Sequence, residues 1–231
     1  MRYKKVLSGK FIFRRNRFIA GVEIAGREEI VHVKNTGRCR ELLVPGAEVF
    51  LAAADNPERK TQYDLIAVKK ERPGKTPLLI NMDSQIPNAV ALEWLEKSGM
   101  FSGEAVFSRE VTWKDSRFDI AVNDGGRKIF IEVKGVTLEK DGIALFPDAP
   151  TERGVKHLNG LAECVKNGFG CYVFFVIQMK DIRCFRPNDT MHPDFGNALR
   201  RAAEAGVKIL AVDCLITPDS ILADSPVKVE L

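Results

Sequence analysis

The segment from Arg117 to Leu138, RFDIAVNDGGRKIFIEVKGVTL, constrains the fold of this chain more than any other stretch. Two runs with the composition of β-strands flank Asn-Asp-Gly-Gly at residues 123–126, and glycine-rich pairs of this kind favour a tight hairpin. We therefore predict two antiparallel strands joined by a two-residue turn. Apolar residues predominate on both strands, so we expect the hairpin to belong to a buried sheet.

The loop decides which side chains lie opposite each other. If residues 125–126 form it, Asp119 lies directly opposite Glu132, with Cβ atoms about 5 Å apart. If residues 124–125 form it, the two acids become diagonal neighbours on the same face. Glu132 and Lys134 share that face in both registers, because side chains alternate along a strand. A three-residue loop would break this parity unless a bulge absorbed the extra residue.

Asp119, Glu132 and Lys134 therefore meet at the ends of neighbouring strands. Two carboxylates at such a distance are unfavourable without a compensating cation. Lys134 supplies one positive charge, and a divalent ion that prefers oxygen ligands would supply the rest. An ordinary cross-strand ion pair is the alternative. We favour a divalent metal site, because burying charges that serve no purpose is costly.

Length and composition indicate a globular protein with one large domain or two small ones: 231 residues, of which 45% are hydrophobic and 29% charged. No run approaches the roughly 20 apolar residues of a transmembrane helix. The basic N-terminus lacks the apolar stretch and the cleavage site of a signal peptide, so we expect a cytoplasmic location and no membrane partner. The five cysteines contain no C-x-x-C pair, and we expect reduced, mostly buried thiols.

Charge is distributed unevenly along the chain. Residues 1–80 contain 17 Lys and Arg against 9 Asp and Glu, whereas the remainder is net acidic. A basic first third suggests a polyanion partner, because counterion release favours binding to a phosphate backbone. A basic surface without a binding role is the alternative.

Residues 1–80 show about five short β-type runs separated by turn residues. This pattern predicts a small barrel, and an OB-fold, which commonly binds oligonucleotides, is the most economical choice. Arg14, Arg15 and Arg17 lie in the first of these runs, near aromatic residues that include Phe18. Aromatic rings on such a surface stack on bases, although we expect most of these aromatics to be core.

Residues 73–77 (PGKTP) predict a linker, so we divide the chain into an OB-fold-like nucleic-acid-binding domain at 1–80 and a second domain at 81–231. The second domain alternates predicted helices and strands. Its run at 171–177 (CYVFFVI) is apolar on both faces and predicts a central, buried strand.

A second cluster of functional residues is predicted after the hairpin. Thr151 is placed to cap a helix, and Arg153, Lys156 and His157 follow in its first turns. A helix N-terminus binds phosphate readily, and nearby cations strengthen it. An amphipathic, solvated helix face is the alternative. The full set that we predict to contact phosphate or nucleic acid is Thr151, Arg153, Lys156, His157, Arg14, Arg15, Arg17, Lys34 and Arg38.

The order of a helix, the acidic hairpin, the strand with Glu132-Val133-Lys134, a basic helix and a buried strand resembles the PD-(D/E)XK nuclease core. The resemblance implies an α/β (α+β) domain with a restriction-endonuclease-like mixed sheet flanked by helices. It also implies that Asp119, Glu132 and the carbonyl of Val133 hold magnesium, and that Lys134 positions the attacking water. The proline that precedes the aspartate in this motif is replaced here by Phe118.

Further segments resemble the sugar fermentation stimulation protein A (SfsA) family. They are NTGRCRELLVPGAEV, INMDSQIPN, SRFDIAV, FIEVKGVTL and FPDAPTERGVKHL, in the order of that family. The resemblance implies a DNA-binding protein with an N-terminal OB-like domain and a C-terminal nuclease-like domain. The family takes its name from an effect on sugar metabolism, which identifies no substrate.

We therefore expect a DNA-binding protein whose second domain is a Mg²⁺-dependent nuclease that cleaves phosphodiester bonds. The alternative is a non-catalytic DNA-binding regulator of sugar metabolism genes that retains the nuclease fold. An enzyme that acts directly on sugars has little support. DNA versus RNA, strand type, sequence preference and oligomeric state stay open. A third acidic metal ligand also stays open among Glu93, Glu96, Glu104 and Glu110.

Overall fold

The computed structural model describes residues 1–35, 37–56 and 58–231. The chain packs as two compact units. The first comprises Met1–Ile86 together with Gln178–Asp181 and Cys214–Leu222, and the second comprises the remaining described residues.

The first unit contains a closed barrel. The strands of this unit are β1 (Val6–Arg14), β2 (Ile19–Ile24), β3 (Arg27–Val33), β4 (Glu48–Ala53), β5 (Tyr63–Lys70) and β6 (Leu78–Asn81). They run in the order β3-β2-β1-β4-β5-β6, and an additional parallel pairing of β3 with β5 closes the first five into a barrel. Small and branched apolar side chains fill the interior, such as Ala20 and Val22 of β2 and Leu65 of β5.

The second unit contains most of the sheet β15-β14-β12-β9-β8-β7. Its strands are β7 (Val106–Trp113), β8 (Ser116–Asp124), β9 (Arg127–Val136), β12 (Gly170–Ile177), β14 (Lys208–Thr217) and β15 (Ser220–Pro226). Strand β12 pairs in parallel with both β9 and β14, and its side chains from Val173 to Ile177 are fully buried. A run that is apolar on both faces suits this position, because helices cover a parallel sheet on both sides.

Three helices and a smaller sheet complete the second unit. The helices are α1 (Pro87–Lys97), α2 (Glu152–Lys166) and α3 (Pro193–Glu204). The smaller sheet consists of β10 (Leu138–Lys140), β11 (Ile143–Phe146), β13 (Cys184–Pro187) and β16 (Lys228–Val229). Helix α2 approaches β8 closely at Gly160, where a Cβ atom would lie 2.6 Å from Oγ of Ser116.

The predicted fold class is confirmed, with a five-stranded N-terminal barrel followed by mixed sheets and helices. The predicted linker at 73–77 lies between β5 and β6, and the boundary between residues 80 and 81 stays a prediction. None of the helices in the described part of the chain has the length and apolar character needed to cross a bilayer.

Candidate metal and phosphodiester site

The hairpin adopts the first of the two predicted registers. Asp124 pairs with Arg127, and the ladder continues to the pair of Ile120 and Ile131. Gly125 and Gly126 both have positive φ angles, 56° and 83°. A type I′ turn requires positive φ at both of its central residues, which explains why the sequence has glycine at each.

Asp119 lies one residue beyond this ladder, and its carboxylate is held at both oxygens. Oδ2 accepts the backbone amide of Val133 at 2.8 Å. Oδ1 accepts the side-chain amide of Asn88, in the first turn of α1, at 2.9 Å. These two bonds fix the orientation of Asp119 toward the strand that carries Glu132.

The carboxylate of Glu132 is almost completely buried, with 2% of the residue exposed. Its Oε1 accepts hydrogen bonds from Nζ of Lys134, at 2.7 Å, and from Nδ1 of His157. Its Oε2 is the one buried side-chain oxygen or nitrogen in the described residues that has no hydrogen-bond partner. A buried carboxylate oxygen without a donor is costly, so this atom indicates a place for a cation.

His157 connects Glu132 to the surface of α2. Its Nε2 accepts a hydrogen bond from Nε of Arg153 at 3.3 Å, so the ring proton lies on Nδ1 and is donated to Glu132. Both ring nitrogens are therefore engaged. We predict His157 as a phosphate contact, but the structure gives it the position of a support for Glu132.

The two acids have opposite pKa shifts. Burial and the negative charge of Glu132 raise the pKa of Asp119 above its ordinary value, against the hydrogen bond from Val133. Burial also pushes the pKa of Glu132 upward, but the hydrogen bond from His157 and the charge of Lys134 outweigh it and leave that pKa below its ordinary value. Glu132 is thus the stably ionised member of the pair, as expected where a cationic partner favours one of two close carboxylates.

The start of α2 has the predicted cap. Oγ1 of Thr151 accepts the backbone amide of Gly154 at 3.1 Å, which satisfies one of the free donors of the first turn. Arg153 and Lys156 are exposed on this first part of the helix. His192 adds a second support, since its Nδ1 accepts the amide of Thr151 at 3.3 Å.

Comparisons with known proteins agree with this architecture. A family model described as "SfsA N-terminal OB domain" matches residues 12–78, and one described as "Sugar fermentation stimulation protein RE domain" matches residues 85–220. A sugar fermentation stimulation protein homolog from Desulfitobacterium hafniense is 58% identical over 231 residues, covering 100% of this chain and 99% of that protein. This chain belongs to the sugar fermentation stimulation protein family.

Other SfsA relatives support the assignment. A homolog from Clostridium beijerinckii is 55% identical over 221 residues, covering 96% of each chain. Among solved structures, Pyrococcus furiosus SfsA, determined in complex with Ca²⁺, matches with a TM-score of 0.87 and 25% identity, covering 100% of this chain and 98% of that one.

In this SfsA-family chain, the predicted residues of the barrel differ in their environments. Arg15, Arg17 and Arg38 are exposed, whereas Lys34 forms an ion pair with the buried Asp83 at 2.9 Å. The guanidinium of Arg14 donates to backbone carbonyls instead of facing solvent freely. The accepting carbonyls belong to Asn16, Arg17, Asn35, Gly37 and Arg38, at 2.7–3.2 Å.

A third acidic ligand does not emerge from the geometry. Glu93 pairs with Lys97 at 2.8 Å, and Glu110 pairs with Arg117. In the segments that the structure describes, no group of three or more His, Cys, Asp or Glu residues is arranged to hold a metal ion, so Glu96 and Glu104 do not complete a site either.

Asn88 is a site residue that the sequence does not reveal. It lies 31 positions before Asp119, and only the packing of α1 brings the two side chains together. Its position just after Pro87, at the helix start, is the one available signal, and that signal indicates a helix boundary but no ligand.

Proposed function

We propose that this SfsA-family protein binds DNA and that its second unit is a Mg²⁺-dependent nuclease that cleaves phosphodiester bonds. The observation that carries the proposal is the buried, unpartnered Oε2 of Glu132, in a carboxylate whose other oxygen is already held by Lys134 and His157. A structural ion pair would satisfy both oxygens, whereas a metal site leaves one available.

The residues present fit a hard divalent cation. Asp119 and Glu132 offer oxygen ligands, and Mg²⁺ in phosphate-processing sites is typically held by one or two carboxylates, with water and substrate phosphate as its other ligands. A third protein carboxylate is therefore not required. When bound, Mg²⁺ would lower the pKa of water and offset the negative charge that develops on phosphoryl oxygens. The backbone carbonyl of Val133 would be a further ligand of the ion.

The surrounding groups have distinct tasks in this proposal. Nζ of Lys134 donates to Oε1 of Glu132, beside the carboxylates, where it would orient the attacking water. His157 keeps Glu132 ionised and fixes its direction, in the way that hydrogen-bonded partners of metal ligands generally do. Thr151 fixes the start of α2, so Arg153 and Lys156 can contact the substrate phosphate there.

Similarity to a metal complex supports the cation. Pyrococcus furiosus SfsA has been determined in complex with Ca²⁺, and its fold covers this whole chain. Ca²⁺ and Mg²⁺ both prefer oxygen ligands, so the carboxylate oxygens of Asp119 and Glu132 suit either ion.

Nucleic-acid binding is supported by the barrel. The first 80 residues are strongly basic, and the OB-fold is a common scaffold for oligonucleotides. Arg15, Arg17 and Arg38 present exposed cations on this unit. Binding of this kind depends on phosphate neutralisation and therefore weakens as salt concentration rises.

A cleavage assay tests the proposal directly. Single- and double-stranded DNA and RNA are incubated with the protein and Mg²⁺ or Mn²⁺, beside Glu132→Gln and the control Glu139→Gln, which alters another buried glutamate of the second unit. We expect metal-dependent cleavage that Glu132→Gln abolishes and Glu139→Gln retains. Salt-sensitive DNA binding without cleavage by any metal would instead favour a non-catalytic regulator.

A further inference from the structure

Phe18 is unusual among the aromatic residues of the barrel because half of its surface is exposed. Phe11, by contrast, is buried in the core. The exposed ring is not on a loose segment, since the amide of Phe18 donates to Oδ1 of Asn16 at 2.8 Å and its carbonyl accepts the amide of Val33 at 2.8 Å. The backbone thus presents an apolar ring to solvent in a fixed position.

His32 lies beside Phe18 in a nearly parallel orientation. The ring centroids are 6.5 Å apart and the ring planes differ by 13°. Nδ1 of His32 is 2.9 Å from Oδ1 of Asp64, and because a carboxylate only accepts, this nitrogen carries the proton. Nε2 has no partner in the described residues, so it is available to a ligand.

The carboxylate of Asp64 fixes the orientation of the His32 ring. Asp64 also accepts two hydrogen bonds from Arg59, at 2.8 and 3.1 Å, which keep its carboxylate in place. Burial opposes these bonds, but together the hydrogen bonds from Arg59 and His32 lower the pKa of Asp64 below its ordinary value. The backbone also holds these two residues together, since His32 of β3 is directly paired with Asp64 of β5.

Cations lie next to these rings in the chain. Arg15 and Arg17 precede Phe18 in the connection between β1 and β2, and both are exposed, with no side-chain partner in the described part of the chain. This connection is held by Arg14, whose guanidinium binds the carbonyl of Arg17 at 2.7 Å. Two nearly parallel aromatic rings, with exposed guanidinium groups next to them in the chain, are complementary to a base attached to a phosphate backbone.

We propose that Phe18 and His32 form a stacking platform for an unpaired base of single-stranded nucleic acid, with Arg15 and Arg17 on the adjoining phosphates. The inference rests on the proposed nucleic-acid binding and specifies its strand type. Base-paired DNA keeps its bases stacked on each other, so the platform favours single strands. Every base has an aromatic face, so the preference is for strand type and not for sequence.

The test measures fluorescence anisotropy with the full chain in EDTA, so that binding is read without cleavage. The probes are an oligothymidylate of about 16 nucleotides, an abasic strand of equal length and a duplex, because one OB-fold covers about 4–16 nucleotides. Phe18→Leu keeps an apolar side chain without a ring, and Phe18→Trp keeps a ring. Val44→Ala is the matched control, since Val44 is equally exposed on the same unit.

We expect Phe18→Leu to bind the oligothymidylate about tenfold more weakly than the wild type, with unchanged duplex and abasic affinity. Phe18→Trp and Val44→Ala should retain wild-type affinity. Equal affinity of Phe18→Leu and the wild type for the oligothymidylate, or an equal loss on the duplex, would overturn the platform and leave nucleic-acid binding intact. Failure of the wild type to bind any probe would instead overturn the proposed function itself.

Discussion

His157 donates its Nδ1 proton to the buried carboxylate of Glu132, although the two residues lie 25 positions apart on α2 and β9. This bond joins the basic helix to the acidic hairpin. It also explains why Glu132 stays ionised. The pKa of the neighbouring Asp119 is raised by burial and by the negative charge of Glu132.

Removal of the His157 side chain should therefore destabilise the folded protein. His157→Phe fills the space but leaves Oε1 of Glu132 with only Lys134 as donor. We expect the free energy of unfolding to fall by about 1–3 kcal/mol, the usual cost of removing one partner of a buried polar group. Denaturant unfolding measures it, with the exposed Lys156→Ala as control. A change for His157→Phe no larger than that of Lys156→Ala would show that the bond is not structurally important.

Arg14 should behave differently from the two arginines that follow it. Arg14→Ala removes a guanidinium that binds five backbone carbonyls, so we expect a loss of at least about 2 kcal/mol in the free energy of unfolding. Arg15→Ala and Arg17→Ala should stay within about 0.5 kcal/mol of the wild type. Denaturant unfolding of the three variants decides it, and equal stability of all three would contradict the distinction.

The same two exposed arginines should contribute to DNA affinity. The double variant Arg15→Ala/Arg17→Ala should bind duplex DNA more weakly, with a flatter dependence on salt. Each lost phosphate contact lowers the slope of log K against log salt by about 0.9. Salt titrations of wild type and the double variant measure this slope, and identical slopes would mean that neither side chain touches phosphate.

Local chemistry made part of the site predictable from sequence. The register of the hairpin follows from two glycines that can both adopt positive φ, and the cap of α2 follows from the hydroxyl of Thr151. The i, i+2 spacing of Glu132 and Lys134 is enough to place both on one face. These features depend only on residues close together in the chain.

The remaining features depend on where helices and loops pack. The bond from Asn88 to Asp119 requires the position of α1 over the sheet, and the bond from His157 to Glu132 requires that of α2. The sequence predicts His157 as a cation beside Arg153 and Lys156 on one helix face. Helical periodicity shows which side chains share a face, but not which residues of other elements that face contacts. The sequence likewise does not distinguish Arg14 from the exposed Arg15 and Arg17. The difference depends on the fold, which places the carbonyls of Asn35 and Gly37 next to the guanidinium of Arg14.

The raised pKa of Asp119 gives stability a specific dependence on pH. Its native pKa lies above the unfolded value, so the native state binds its proton more tightly and this residue's contribution to stability is lost as pH rises through the native pKa. Asp119→Asn lacks this loss. In EDTA, its stability relative to the wild type should therefore increase as pH rises from the ordinary aspartate range and then level off. Denaturant unfolding across that range checks the trend, and a variant whose relative stability falls with rising pH would contradict it.

The measurement that tests the central claim most directly is a calorimetric titration with Mg²⁺, repeated with Ca²⁺, of the wild type, Asp119→Asn and Lys134→Ala. We predict one ion per chain in the wild type and binding at least about tenfold weaker in Asp119→Asn, since even the loss of a partner that supports a ligand typically costs 10–100-fold. Lys134→Ala should retain the ion, because an ammonium is not a ligand, and should lose any cleavage. Equal affinity of wild type and Asp119→Asn for both ions would mean that the carboxylates are structural, and would contradict the metal-dependent nuclease.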